Sequence, residues 1–163
     1  MKLIIPTEVA RRIFEVVYQT GLETGVTLFG EKAGEDFTVK HIAGPGPDAT
    51  HEELHYSGNE DYATMVFNEL LKDDPNLVHV GELHVHPFMM KRLSQGDRET
   101  VKELLKDYDE FIAGVILRNH LWDFKVYPVY FSRSQPEGIE MEVLFENQTH
   151  RNRWARFGRK RRH

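Results

Sequence analysis

Two histidines one residue apart, followed by a serine and an aspartate, are the residues of this sequence best suited to chemistry. They are His84 and His86, with Ser94 and Asp97 further along the chain. Side chains alternate between the two faces of a strand, so both histidines would point the same way with their Cα atoms ~6.7 Å apart. Two imidazoles at that separation can bind one metal ion, and a carboxylate can supply a third ligand. Three protein ligands with one open position are typical of catalytic zinc rather than structural zinc.

Each part of this pattern also has an ordinary structural explanation. Ser94-x-x-Asp97 is a common helix-capping pattern, and a carboxylate is favoured in the first turn of any helix. A His-x-His pair taken alone is more often structural than a ligand pair. The occurrence of all four residues at fixed spacing is what favours a metal site over these separate explanations.

Apolar residues at helical spacing predict three helices that would position these groups. The predicted spans are residues 7–20, residues 59–72 and a helix that begins at Ser94. Thr7 would cap the first helix and Gly21 would end it. Asp97 falls in the first turn of the third helix, and the loop at 87–93 could fold that turn back over the histidines.

Apolar runs bounded by turn residues predict six strands. They cover residues 26–29, 37–42, 77–86, 110–117, 122–131 and 138–145, and a loop from 44 to 57 precedes the second helix. The order α-β-β-α-β-α-β-β-β implies an α/β fold in which helices pack on a mixed sheet.

Composition favours a single soluble domain. The chain has 163 residues, of which 40% are hydrophobic and 29% are charged, values ordinary for a globular protein. The absence of cysteine excludes a disulfide, a thiolate nucleophile and a Cys-ligated metal. No apolar run is long enough for a signal peptide or a spanning helix, so we expect a cytoplasmic protein without membrane contact.

Charge is distributed unevenly along the chain. Residues 151–163 hold seven of the 21 basic side chains and no acid, which leaves residues 1–150 with a net charge of −12. We therefore expect a domain at 1–150 followed by a flexible basic tail at 151–163. Because a domain with this negative charge repels phosphate groups, we do not expect nucleic acid as a partner.

The spacing of the four residues resembles a known family motif. His-x-His, seven residues, Ser, two residues, Asp is the signature of the JAMM metalloproteases, also called JAB or MPN-plus domains. His84-Val85-His86-Pro87, Ser94 and Asp97 match every fixed position of that signature.

Other positions extend the resemblance over about residues 3–131. The family has a glutamate after its first helix, seven residues before a glycine, and Glu23 and Gly30 stand at that offset. Gly81-Glu82-Leu83-His84, and a Gly-Pro-Gly-Pro segment ahead of His51, are similar to bacterial members associated with ubiquitin-like conjugation.

The resemblance implies a cytidine-deaminase-like α/β sandwich that hydrolyses peptide or isopeptide bonds with one zinc ion per chain. It implies that His84, His86 and Asp97 hold the zinc. Glu23 would be the general base, and Ser94 would donate a hydrogen bond to the oxyanion, a role that competes with helix capping. The implied substrate is a ubiquitin-like protein or its conjugate, with activating and conjugating enzymes as further partners.

Several alternatives remain open at this stage. The same metal site would serve a peptidase that releases an amino acid from a sulfur-carrier protein. A non-enzymatic MPN scaffold is also possible in principle, although the presence of Glu23 and the full ligand set argues against it. Glu82 shares a strand face with His84, as either a competing ligand or an acceptor that orients an imidazole. Met89 and Met90 would either contact a partner or pack against the third helix.

Overall fold

The computed structural model describes residues 1–19, 24–47, 49–51, 56–87, 89–119 and 123–146. Its strands are β1 (Lys2–Ile5), β2 (Gly25–Ala33), β3 (Asp36–Ala43), β4 (Thr50–His51), β5 (Tyr56–Ser57), β6 (Val78–Val85), β7 (Glu110–Arg118), β8 (Phe124–Ser132), β9 (Gln135–Glu140) and β10 (Glu142–Phe145). Its helices are α1 (Thr7–Val17), α2 (Glu60–Asp73) and α3 (Gln95–Leu104). Within the described ranges, none of the helices has the length and apolar character needed to cross a bilayer.

Eight strands form one mixed sheet in the order β10-β1-β3-β2-β6-β7-β8-β9, and β4 pairs with β5 separately. The strands at the two edges, β9 and β10, are separated in the chain by Met141 alone. This continuous segment pairs first with β8 and then with β1. The sheet must therefore curl until its two edges approach each other.

The inner face of the curled sheet packs around α1. Five residues of this helix are buried, at the spacing expected for one helical face. They are Val9, Ala10, Ile13, Phe14 and Val17. They join buried apolar residues from β1, β2, β3, β6, β7 and β8 in one continuous core.

The outer face carries α2 and α3. Val101 and Leu105 pack with Phe111, Val115 and other residues of β7 in a second, smaller core. No residue of α2 is fully buried. This helix is held from one side, partly by Phe67, whose ring stacks on Phe29 with 5.1 Å between centroids.

A bulge in β6 determines which of its residues face outward. Leu28 lies opposite Gly81, whereas the next residue, Phe29, lies opposite His79, so β6 accommodates one extra residue. Gly81 has a φ of +153°, and a Cβ at this position would lie 1.8 Å from the carbonyl oxygen of Ile112. Only glycine fits there.

The predicted α/β sandwich with a mixed sheet is confirmed, and the predicted elements are found with four differences. Thr7 is the first residue of α1 rather than its cap; Pro6 occupies the cap position, and the Thr7 hydroxyl donates instead to the Glu146 carbonyl at 2.7 Å. The strand predicted at 138–145 is two strands with different partners, and β1 was not predicted. The short strands β4 and β5 lie inside the predicted loop. Thr20, Gly21 and the tail at 151–163 lie outside the described residues.

Candidate metal centre

The C-terminal end of β6 brings the two histidines together on the outer face of the sheet. His84 lies opposite Gly25 of β2 and Val115 of β7, so it is held from both sides. His86 follows the strand directly, and its backbone N–H donates to the Ile116 carbonyl at 3.2 Å. The two Nε2 atoms are 2.7 Å apart.

Asp97 completes the group from the first turn of α3. Its Oδ1 lies 3.3 Å from His84 Nε2, and its Oδ2 lies 3.2 Å from His86 Nε2. The Ser94 backbone N–H donates to Asp97 Oδ2 at 2.6 Å, which fixes the orientation of the carboxylate. The predicted fold-back of the third helix over the histidines is therefore observed.

This donor set fits a metal ion. Ligands at 2.0–2.1 Å from a tetrahedral zinc are separated from one another by about 3.3 Å. The distances from Asp97 Oδ1 to His84 and from Asp97 Oδ2 to His86 match this separation, whereas the two Nε2 atoms lie closer together. Among the residues that the structure describes, the group of three that could hold an ion consists of His84, His86 and Asp97. Glu82 does not belong to this group.

The carboxylate of Asp97 is stabilised as an anion. Burial raises its pKa, but hydrogen bonds from His84, His86 and Ser94, together with the charge on His84, lower it by more. The net result is a pKa well below the usual range of an aspartate. Asp97 is thus ionised near neutral pH, and a carboxylate must be ionised to bind a metal.

Ser94 caps α3, as the sequence pattern predicted. Its hydroxyl oxygen accepts a hydrogen bond from the Asp97 backbone N–H at 3.1 Å, and the box is closed by the Asp97 side chain. A serine hydroxyl carries one donor proton beside its two lone pairs. Because the cap uses a lone pair only, capping and donation to an oxyanion are compatible roles for one hydroxyl.

A cavity of about 530 Å³ lies between α2 and α3. Part of its lining is formed by His84, His86 and Asp97, called here the metal group because these residues could hold an ion. Its floor includes Glu82, which lies opposite Thr27 of β2 and Ala113 of β7. Although solvent reaches the Glu82 side chain through the cavity, the surrounding protein atoms raise its pKa by desolvation. The positive charge of His84 opposes this shift, and the negative charge of Glu60 adds to it.

Sequence reasoning identified most of the charged residues of this cavity but missed Glu60. It lies in the first turn of α2, directly after the cap residue Asn59. An acidic residue at that position is common in helices of any function, so the sequence carries no signal that places it beside Glu82.

Glu23, predicted as the general base, lies outside the described residues. The described chain resumes at Thr24, whose carbonyl accepts a hydrogen bond from the Val85 backbone N–H at 2.7 Å. Chain entry into β2 is therefore adjacent to the strand that carries His84.

The loop between the histidines and α3 exposes both of its methionines. Met89 and Met90 are exposed, and Met90 borders the cavity. Packing against α3, one of the two expectations for this pair, is therefore not the main environment of either side chain.

A partly buried aromatic cluster lies at the start of β6. The His79 ring is 5.2 Å from Tyr108 and 5.5 Å from Phe111, between ring centroids. Its Nδ1 is buried and has no hydrogen-bond partner among the described residues. Desolvation lowers the pKa of His79 from 6.5 to about 4, so the ring is neutral near pH 7.

Comparison with solved structures supports the class of fold. The chain is similar to the solution structure of protein DSY2949 from Desulfitobacterium hafniense, with a TM-score of 0.68 and 14% sequence identity. The similarity covers 90% of this chain and 94% of that one. At this identity it shows a shared α/β sandwich fold alone.

Comparison with curated sequences gives a more particular relative. The chain is 28% identical over 88 residues to a protein of Escherichia coli strain TW11681 named CD-NTase/cGAS isopeptidase. The match spans 52% of this chain and 56% of that protein, about half of each. No protein-family model matches the chain.

Proposed function

We propose that this protein is a zinc-dependent isopeptidase or peptidase of the JAMM type that removes or processes a ubiquitin-like modifier. The observation that carries the proposal is the convergence of His84, His86 and Asp97 in the lining of a cavity. The relative named as an isopeptidase supports the same chemistry.

In the proposed site His84, His86 and Asp97 hold one zinc ion. Zinc supplies a Lewis acid that polarises the scissile carbonyl and makes water more acidic. Asp97 adds a negative charge to two neutral imidazoles, and the Ser94 backbone N–H holds that carboxylate in position. The ligand positions thus depend on the helix cap as well as on the strand.

Two further residues act on the reacting atoms. Glu23 takes a proton from the attacking water and returns it to the leaving amine, a role that usually contributes 10²–10⁴-fold to the rate. The Ser94 hydroxyl donates its proton to the oxyanion that forms on the carbonyl oxygen. Its cap interaction holds the hydroxyl oxygen while leaving that proton available.

The proposed substrate is the C-terminal tail of a folded ubiquitin-like protein, free or conjugated, with the activating and conjugating enzymes of that modifier as partners. Zinc chemistry does not select one amide over another, so selectivity requires binding energy from groups remote from the bond. A folded modifier offers such a surface, whereas a short peptide also loses conformational entropy when it is ordered.

Metal analysis combined with cleavage of a fusion between a ubiquitin-like protein and a reporter tests the proposal. We expect close to one zinc per chain, and loss of both zinc and cleavage in the double variant His84→Ala, His86→Ala. The control is His41→Ala, a histidine on β3 outside the metal group, which should retain both. Full zinc retention in the double variant would contradict the ligand assignment.

Assays with different substrates distinguish the proposed isopeptidase from the alternative functions. Comparable kcat/KM for the fusion and for a hexapeptide of its tail would indicate a general peptidase. Release of a single amino acid from a sulfur-carrier protein, without cleavage of the fusion, would favour the second activity. Zinc binding without any turnover would indicate a scaffold.

A further inference from the structure

The cavity beyond the metal group has an unusual charge balance. The charged side chains other than histidine in its described lining are Glu60, Glu82 and Asp97, and no lysine or arginine is among them. Asp97 is engaged by the histidines and by Ser94. Glu60 and Glu82 are thus the carboxylates that remain to face a ligand.

The rest of the cavity is partly apolar. Val101 and Leu104 of α3 and Phe111 of β7 line it beside the two glutamates. Glu82 and His84 lie on the same face of β6, two residues apart, which places them ~6.7 Å from each other along the strand. A cavity lined by apolar side chains and a carboxylate next to the metal group matches a long aliphatic side chain that ends in a positive charge.

Electrostatics determines which part of a substrate this cavity accepts. A positive charge beside Glu82 is favoured because opposite charges attract, more strongly inside a cavity than in open water, and a negative charge is disfavoured for the same reason.

Hydrolysis of an amide gives products of opposite charge. The C–N bond breaks, the hydroxyl of water joins the carbonyl carbon, and its proton goes to the nitrogen. Near neutral pH the acid then ionises to a carboxylate and the amine binds a further proton from solvent. The carboxylate product is repelled by Glu60 and Glu82, whereas the ammonium product is attracted.

We propose that this cavity binds the amine side of the substrate and selects a lysine or arginine side chain there, with Glu82 as the residue that recognises the charge. The inference rests on the proposed function, since it assigns a side of the scissile bond to the cavity. Glu60, in the first turn of α2, adds to the negative electrostatic potential of the cavity.

A binding measurement tests the inference without catalysis. The zinc-loaded protein is titrated with Nα-acetyl-lysine amide and with Nα-acetyl-norleucine amide, which has a similar stem and no charge. We expect the lysine probe to bind about 5–10-fold more tightly, as for a partly buried ion pair. Glu82→Gln should reduce that ratio to about 1, while Glu99→Gln, on α3 outside the cavity, should leave it high.

Two binding outcomes would overturn the inference. One is equal affinity of the native protein for the two probes. The other is an equal effect of Glu82→Gln and Glu99→Gln, which would mean that the net charge of the molecule, rather than the cavity, attracts the lysine probe.

A kinetic arm distinguishes failure of this inference from failure of the proposed function. Fusions of a ubiquitin-like protein carry Lys, Met or Glu directly after the scissile bond. We expect kcat/KM to fall in the order Lys, Met, Glu, and the Lys-to-Met ratio to collapse in Glu82→Gln. Equal cleavage of all three would overturn the charge selection and leave the isopeptidase proposal standing. No cleavage of any fusion, with lysine-selective probe binding intact, would overturn the activity and leave the cation site.

Discussion

The two faces of the curled sheet are built differently. The inner face is filled by apolar side chains around α1, which buries five of its own residues. The outer face carries α2, which has no fully buried residue, and a cavity of about 530 Å³. This contrast indicates that the inner face contributes most of the stability. The outer face can therefore hold polar groups around a cavity that side chains do not fill.

Strand β6 belongs to both faces and divides its residues between them. Leu83 and Val85 point into the inner core, while Glu82 and His84 line the cavity. A substitution on this strand should therefore affect either stability or function, depending on which face it alters. The predictions below test that separation.

The largest effect that spares stability is expected for Glu23→Ala. As the proposed base, Glu23 should contribute about 10²–10⁴-fold to turnover, while zinc content and Tm remain those of the native protein. Turnover of a modifier fusion, metal analysis and thermal melting measure the three quantities. Glu35→Ala, in the exposed turn between β2 and β3, is the control. Native-like turnover of the Glu23 variant would remove this residue from the mechanism.

Ser94 is expected to affect both turnover and stability, so its variants test whether the two can be separated at one residue. Ser94→Ala should lower turnover by about 10²-fold through the lost oxyanion donor, and stability by about 1 kcal/mol through the lost cap. Ser94→Gly should lose turnover equally but less stability, because glycine is a better N-cap than alanine. Ser94→Thr should retain both. Full turnover in the alanine variant would limit Ser94 to capping.

A matched pair of valines compares the faces directly. Val17→Ala on α1 removes two methyl groups from a fully buried position and should lower the free energy of unfolding by about 2 kcal/mol. Val66→Ala on the half-buried face of α2 should cost less than about 1 kcal/mol. Urea denaturation measures both. Equal losses would show that α2 is anchored as firmly as α1.

His79 is a partly buried titratable group on the outer face and gives that face a pH dependence. Its pKa is about 4 in the folded protein and 6.5 as a free side chain, so the unfolded state binds a proton first as the pH falls. Its stabilising effect is complete above pH 6.5 and is lost as the pH falls towards 4. Between pH 7 and 5 the native protein should lose about 1–2 kcal/mol more stability than His79→Phe. Parallel pH profiles of the two proteins would contradict the assignment.

Local patterns were sufficient for most elements and for the metal group. Strand alternation placed His84 and His86 on one face, and the Ser94-x-x-Asp97 spacing predicted the cap that orients the Asp97 carboxylate. These features depend on residues that are close together in the sequence, because strand alternation and helix capping involve only near neighbours.

Features that depend on distant pairing were missed. Leu3-Ile4-Ile5 is too short to signal a strand alone and becomes β1 only because β3 and β10 flank it. The boundary between β9 and β10 likewise reflects a change of partner strand, which leaves no periodic signal. The cavity forms where α2 and α3 stand apart on the outer face, so Glu60 and Glu82 meet through tertiary packing rather than through spacing.

The closure of the sheet also bears on how the molecule forms during synthesis. Lys2–Ile5 leaves the ribosome before the other described strands, yet in the finished sheet it lies beside Glu142–Phe145, which emerges after them. The seam between β1 and β10 therefore joins distant parts of the chain, and such long-range contacts slow folding because a large loop must close first. Until that seam forms, the edge of β1 is unpaired and open to association with other chains. In that interval the nascent protein exposes a strand edge that the finished sheet covers.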